Sequence, residues 1–289
     1  MRLKEYTNTA DFLRENLKYL QSDEVRYGLI YGIARRLVIN PHYYGNEDPW
    51  FCVVGDDAGA GTFAWRTPPY AVGLAYYSGE TKETVSLLLE VVHDRWQEIP
   101  GVIGHREVTD LFTEKWSGNF GAIVKSTMAQ RIYRLDSVNR IPAAPGWMRP
   151  AMLIDKDLVY SWILAFNIDT GENTILPSIE NITHRIETGE LYLWENNGKP
   201  VSLVGKGRST DHGVTIGPVY TPEELRRQGY ASSCVADVCK EILQSGYDFC
   251  TLYTDLSNAI SNSIYMKIGF KPVCDSVQYN FLPSLQKKE

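Results

Sequence analysis

An α/β fold, a mixed sheet flanked by helices and laid down twice along the chain, is what these 289 residues predict. Three observations carry that expectation. Short apolar or alternating runs typical of strands interleave with segments whose apolar residues recur every three or four positions. The order of those segments in the first half returns in the second, as a repeat of pattern rather than of sequence. At roughly 150 residues per domain the length suits two domains, each able to bury a core without metal or disulfide staples.

Leu3–Tyr6 reads as a short strand, and Thr7, Asn8 and Thr9 offer caps for a helix carrying Phe12, Leu13, Leu17 and Leu20. Ser22 is expected to open a second helix, with Val25, Leu29, Ile33 and Leu37 on one face. Three strands follow, Trp50–Val54, Gly61–Arg66 and Tyr70–Tyr77, separated by Gly and Pro turns. A helix from about Lys82 to Gln97, a strand near Val102–His105 and a helix at Val108–Trp116 complete the half.

The second half is expected to begin with a strand at Gln130–Val138 and helical stretches near Pro150–Phe166 and Leu176–Thr188. Strands at Leu191–Glu195, Val201–Lys206 and Gly213–Tyr220 precede a helix from Gly229 to Gln244. Phe249–Thr254 is a strand, Asn258–Ile268 a helix and Pro272–Phe281 a closing strand. The expected domains are 1–127 and 128–289.

Composition narrows the function classes. Apolar residues make up 44% and charged ones 22%, too apolar for disorder and too polar for a membrane protein. A net charge of −6 argues against a general nucleic-acid or anionic-membrane surface. Five cysteines without a C-x-x-C pair suit buried thiols in a reducing compartment. MRLKEYTNTADFLREN shows no signal segment, and no run approaches membrane-helix length, so a cytoplasmic soluble protein is expected. The five histidines show no ligand spacing, so no metal is expected.

The sharpest feature is VTIGPVYTPEELRRQGYASSCVADV at 214–238. A strand ends near Tyr220, a loop carries Arg226, Arg227 and Gln228, and a helix opens at Gly229-Tyr230-Ala231. Helix N-termini offer unpaired N–H groups to phosphate oxygens, and small residues there let a diphosphate approach the backbone. Arginines at a helix start are otherwise a solvated surface, but cations oppose the dipole at that end unless an anion visits.

Arg226-x-x-Gly229-x-Ala231 matches the [QR]-x-x-G-x-[GA] motif, and Asn258-x-x-Ser261-x-x-Ile264-Tyr265 with Gly269-Phe270 resembles N-x-x-A-x-x-L-Y-x-x-x-G-F. Ser261 stands for the usual Ala and Ile264 for Leu. With a strand between them, residues 128–289 resemble the GCN5-related N-acetyltransferase (GNAT) superfamily, in a tandem form with a degenerate N-terminal copy. The resemblance implies two acyl-CoA N-acyltransferase-like domains and acetyl-CoA as co-substrate. It implies a splayed pair of parallel strands for the pantetheine arm, met by main-chain groups of Val219, Tyr220 and Thr221. The diphosphate would lie over Arg227 to Ala231, Asn258 and Ser261 would face the cofactor arm, and Tyr265 would protonate the departing thiolate. Free thiol and phenol pKa values, about 8.5 and 10, make that transfer reasonable. The competing role for Tyr265 is packing beside Ile264 and Ile268.

The first half departs from the motifs: Ser78-Gly79-Glu80-Thr81-Lys82-Glu83 replaces the diphosphate loop, and Glu80 and Glu83 would repel phosphate. Gly59-Ala60-Gly61-Thr62-Phe63-Ala64 mimics a dinucleotide fingerprint but sits in a strand-like run, so it is expected to be a hairpin. His212 and Glu195 are candidate bases at strand ends. Trp147, Tyr160, Trp162, Tyr192 and Trp194 suit either an acceptor pocket or the core.

The expected function is transfer of acetyl to a primary amine of a small molecule or peptide by direct attack in a ternary complex. The alternative is a non-catalytic acyl-CoA-binding or partner-binding protein. An aminoacyl-tRNA-dependent transferase, as in tandem peptidoglycan-bridge enzymes, disagrees with both the negative charge and the diphosphate loop.

Overall fold

A computed structural model describes residues 1–56, 59–78, 81–171, 176 and 178–283. In chain order the elements are β1 (Arg2–Tyr6), α1 (Thr9–Ser22), α2 (Gly28–Ile39), β2 (Trp50–Asp56), β3 (Gly59–Arg66), β4 (Val72–Tyr76), α3 (Thr81–Arg95), β5 (Gly101–His105), α4 (Arg106–Phe120) and β6 (Val124–Leu135). Then come β7 (Trp147–Pro150), α5 (Lys156–Thr170), α6 (Ile179–Glu187), β8 (Leu191–Asn196), β9 (Lys199–Ser209), β10 (Gly213–Tyr220), α7 (Tyr230–Gln244), β11 (Phe249–Asp255), α8 (Ala259–Ile268) and β12 (Lys271–Phe281). Short 3-10 turns at Leu153–Asp155 and Glu223–Leu225 precede α5 and follow β10.

These elements form two compact units, neither of them continuous in sequence. One holds Met1–Ile132, Tyr253–Asn258 and the segment from Pro272 onward; the other holds Tyr133–Leu252 and Ala259–Lys271. In the first, the strand order is β1-β2-β3-β4-β5-β12-β6. The β4–β5 pair is parallel, and β12 pairs with β5 antiparallel, Ser276 opposite His105. In the second the order is β11-β10-β9-β8-β7, with only β10–β11 parallel.

Both units are built on strands with two apolar faces. In β2, Trp50, Cys52 and Val54 join a cluster with Leu88, Val92, Phe112 and Trp116, while Phe51 and Val53 join Phe12, Leu20, Ile30 and Leu37. The two-residue period of a strand turns alternate side chains to opposite helix layers. In β8, Tyr192 and Trp194 likewise face Val235 and Val238, whereas Leu191 and Leu193 face Val159, Ile163 and Ile182. Tyr192, Trp162 and Trp194 are therefore core residues, and Trp147 is exposed. Cys52, Cys234, Cys239 and Cys250 are buried thiols. Among the described residues, no helix is long and apolar enough to cross a membrane.

Asn8 caps α1 as expected, its side chain accepting from the Ala10 and Asp11 N–H groups. Ser22 does not open α2. It ends α1, its hydroxyl donating to the Tyr19 carbonyl, and α2 starts at Gly28. The Gly59-x-Gly61 run lies on β3, with Asp56 opposite Gly59, so it opens no helix. Gly79 and Glu80 lie outside the described residues; Glu83 sits in the first turn of α3. The strand β7 escapes the sequence reading because it is four residues long and ends in proline. It is held by charge. Arg149 Nε donates to Glu195 Oε2 at 2.6 Å, and its Nη1 and Nη2 donate to Asp155 at 2.7 and 3.0 Å. Asp155 also accepts from the Met152 N–H at 2.8 Å, which fixes the turn into α5.

This cluster sets a testable pH dependence. The Arg149 bonds hold the Asp155 carboxyl below its ordinary value. A depressed carboxylate stabilises the fold above its unfolded pKa of about 4, and that stability is lost as pH falls through the lower folded value. Arg149→Met leaves two largely buried carboxylates unpaired and is expected to cost about 3 kcal/mol at pH 7 in urea unfolding. The difference from wild type should shrink as pH falls toward about 4 and below, where Asp155, left without its cation, protonates. A cost that does not vary with pH would assign the loss to packing alone.

Candidate functional site

The second unit holds a parallel strand pair that stops early. Gly213, Val214 and Thr215 pair with Phe249, Cys250 and Thr251, and the register goes no further, although β10 continues to Tyr220. Gly213 is required here: a Cβ would lie 2.0 Å from the Phe249 ring. Beyond Thr215, β10 stays with β9 through two register shifts, ending with Val219 opposite Val204 and Tyr220 opposite Leu203. Pro218 interrupts the row of donors because it has no N–H. Val219 and Tyr220 thus keep register with β9 and, among the described residues, have none with β11.

The end of β10 is anchored by Ser202, a fully buried residue of β9 that the sequence reading passed over. Its hydroxyl donates to the Tyr220 carbonyl at 3.0 Å and lies 2.9 Å from Thr221 Oγ1. The lone hydroxyl in the apolar run Val201–Val204 was its only signal. The Tyr220 ring leans on Trp162, centroids 6.0 Å apart, and burial raises its phenol pKa.

The loop then turns into α7 with two left-handed residues, Arg227 at φ +65° and Gly229 at φ +83°. Gly229 accommodates that conformation readily; an arginine does so against its steric preference, a form of strain common at ligand sites. The first bond of α7 runs from the Ser233 N–H to the Gly229 carbonyl at 3.0 Å. The N–H groups of Tyr230, Ala231 and Ser232 therefore precede the intrahelical ladder. Ser233 Oγ accepts from the Ala144 N–H at 2.8 Å, pinning this end of the helix.

The side chains in the loop divide by role. Arg226 is already satisfied: its Nη2 donates to Asp169 at 2.6 Å and its Nε to the Thr221 carbonyl at 3.0 Å. Arg226, expected to meet an external anion, thus already has one within the chain. Arg227 is exposed and has no side-chain partner among the described residues. Gln228 accepts from the Tyr230 hydroxyl at 3.0 Å, which in turn accepts from Asn196 at 2.9 Å, so the Tyr230 side chain is structural. Ala231 is half-buried and keeps the backbone accessible.

Tyr265 lies on α8 and packs against the cluster containing Cys239 and Leu252, its ring centroid 5.9 Å from that of Phe270 in a T-shaped contact. Its hydroxyl has no hydrogen-bond partner among the described residues. Burial, with a smaller contribution from Cys239, pushes its pKa to about 12. The phenol is firmly protonated at neutral pH but is a weaker acid than the free side chain used in the sequence estimate. Asn258 is exposed just before α8, its N–H donating to the Asp255 carbonyl at 3.1 Å, and Ser261 is half-buried one turn on. Asn262, missed from sequence, is buried and accepts from the Tyr133 hydroxyl at 2.9 Å, fixing the rotation of α8.

Neither candidate base suits this place. The Glu195 carboxylate is bonded to Arg149. His212 precedes β10 at the end opposite Tyr220, roughly 25 Å along the strand at 3.3 Å per residue. Among the described residues no group of three or more His, Cys, Asp or Glu could hold a metal ion.

The first unit repeats the short parallel pairing, Val72–Leu74 with Val102–Gly104, but treats the strand ends differently. His105 Nε2 lies 2.9 Å from the Arg26 carbonyl and so carries the proton, leaving Nδ1 to accept from the Tyr76 N–H at 3.2 Å. Burial lowers its pKa and favours this neutral form. The imidazole occupies the β4 main-chain donor beyond the last parallel pair, and the adjoining cavity, about 10 Å³, has room for one water.

Residues 197–279, which include the β10–α7 loop and α8, match the family model of FR47-like proteins. No curated protein matches the sequence. A solved Drosophila protein is similar at a TM-score of 0.70 and 13% identity, covering 97% of this chain and 98% of its own. A GNAT-family acetyltransferase from Colwellia psychrerythraea superposes at 0.59 with 14% identity, covering 98% and 100%. A tandem GNAT protein from the clavulanic acid biosynthesis pathway superposes at 0.57 with 10% identity over the same shares. The chain therefore shares the fold of solved GNAT-family proteins, a tandem GNAT protein among them, and its residues 197–279 match the FR47-like family model.

Proposed function

We propose that the protein is an acetyl-CoA-dependent N-acetyltransferase whose chemistry resides in residues 128–289. The observation that carries this reading is the early end of the β10–β11 pairing, leading directly into a loop with Arg227 and Gly229 left-handed at the start of α7. Acetyl-CoA supplies the activated acyl group. Main-chain groups near Val219 and Tyr220 receive its arm, and the α7 N–H groups with Arg227 receive its diphosphate. A backbone N–H near Val219 meets the developing oxyanion as a neutral primary amine attacks. Tyr265 holds its proton against the departing thiolate. Because the phenol sits near 12 and a free thiol near 8.5, full transfer is uphill, so its main contribution is a hydrogen bond that strengthens as charge develops. Residues 1–127 form the copy without a cofactor, with the Tyr76 donor occupied by His105.

Two substitutions test the reading. Ala231→Glu places an acid in the first turn of α7, where the dipole favours it, so the fold should keep or gain stability. Its charge and bulk oppose the diphosphate. Calorimetry should find one CoA per chain in the wild type and at least a tenfold loss in the variant; unchanged affinity would make the loop purely structural. Gly229→Glu is a poorer probe, since its φ of +83° strains any side chain.

Tyr265→Phe keeps the ring and removes the proton. Thiol release with a panel of primary amines should show kcat reduced about 10–1,000-fold with little change in the acetyl-CoA KM. Wild-type turnover in the variant would remove Tyr265 from the mechanism. CoA binding without thiol release from any amine, in the wild type, would favour the acyl-CoA-binding alternative.

A further inference from the structure

Two charges in the second unit stand at the wrong ends of their helices. Asp169 lies in the last turn of α5, where carbonyl groups already present negative charge, and Arg226 lies just before α7, where N–H groups present positive charge. Each answers the other, Nη2 to Oδ2 at 2.6 Å, while Arg226 Nε also holds the Thr221 carbonyl at 3.0 Å. Arg226 thus ties three points together: the end of α5, the residue after β10 and the start of the Arg227–Gly229 turn. Between the Thr221 and Arg226 ends of this span, the loop has backbone bonds from Leu225 to Pro222 at 2.9 Å and from Arg226 to Glu223 at 3.2 Å.

We propose that Asp169 is a positioning residue. By holding Arg226 it fixes the 221–229 loop, so that Arg227 and the α7 N–H groups stand ready for a diphosphate. The role deepens the acetyl-CoA reading and rests on it. It assigns the two adjacent arginines different tasks: Arg226 braces and Arg227 meets the anion. It also couples α5, whose Trp162 supports Tyr220, to the cofactor loop.

The alternative makes the opposite prediction. If Asp169 merely occupies Arg226 until phosphate arrives, Asp169→Asn frees a cation, removes a nearby negative charge and tightens CoA binding. If Asp169 positions the loop, Asp169→Asn weakens CoA binding despite removing that charge. Both partners are about half exposed, so an effect of up to about fivefold is the scale for such a pair. Hydrogen exchange on the free protein gives a readout independent of CoA. Asp169→Asn should speed exchange at the Leu225 and Arg226 amides and leave β8 and β9 unchanged, and Asp169→Glu should restore both exchange and affinity. Unchanged exchange at those amides, or tighter CoA binding, overturns the proposal. If wild-type protein binds no CoA, the acetyl-CoA reading fails by itself, and the exchange result still decides whether Asp169 braces the loop.

Discussion

The parallel contact between β10 and β11 is the constraint on which the candidate site depends. Three residue pairs are enough to set the two strands side by side, and Gly213 permits the approach by giving its space to the Phe249 ring. Had the ladder run on to Tyr220, the β10 main chain would have been consumed by its neighbour. Because it stops at Thr215, the donors and acceptors farther along are shaped instead by β9, Ser202 and the loop that follows.

Around that opening the protein spends polar residues on geometry. Ser202 holds the Tyr220 carbonyl, Ser233 takes the Ala144 N–H, Asn262 takes the Tyr133 hydroxyl, and Asn196 and Gln228 share the Tyr230 hydroxyl. Each satisfies a group in or beside the core that would otherwise be costly to bury. Together they orient β10, both ends of the loop and α8. Tyr265 is left with an unbonded hydroxyl in an apolar setting, which keeps its proton in place.

The two units make different use of one plan. In each, a strand faces helices on both sides, and a parallel pair ends after three residues. In the second unit the chain beyond that point turns into a glycine-started helix with an exposed arginine. In the first, an imidazole bonded to Tyr76 and Arg26 takes the corresponding main-chain position. The difference lies in what fills the strand ends, not in the sheet itself.

By itself the sequence determined the α/β class, the repeated order of elements and the places of the two motif helices, because periodicity and the glycine turn are local properties. It placed Gly229 at the start of α7 and Tyr265 on α8 for the same reason. It did not reveal β7, whose four residues depend on the Arg149 cluster, or the pairing of β12 with β5. Nor did it separate Arg226 from Arg227, or show that Glu195 was taken by Arg149 and His105 by Tyr76. Those outcomes rest on partners between 29 and 179 positions away in the chain for Tyr76–His105, Arg149–Glu195, Arg226–Asp169 and β5–β12. Only the tertiary structure decides which charge or hydrogen-bonding group is already satisfied, because that depends on distance in space and not on order along the chain.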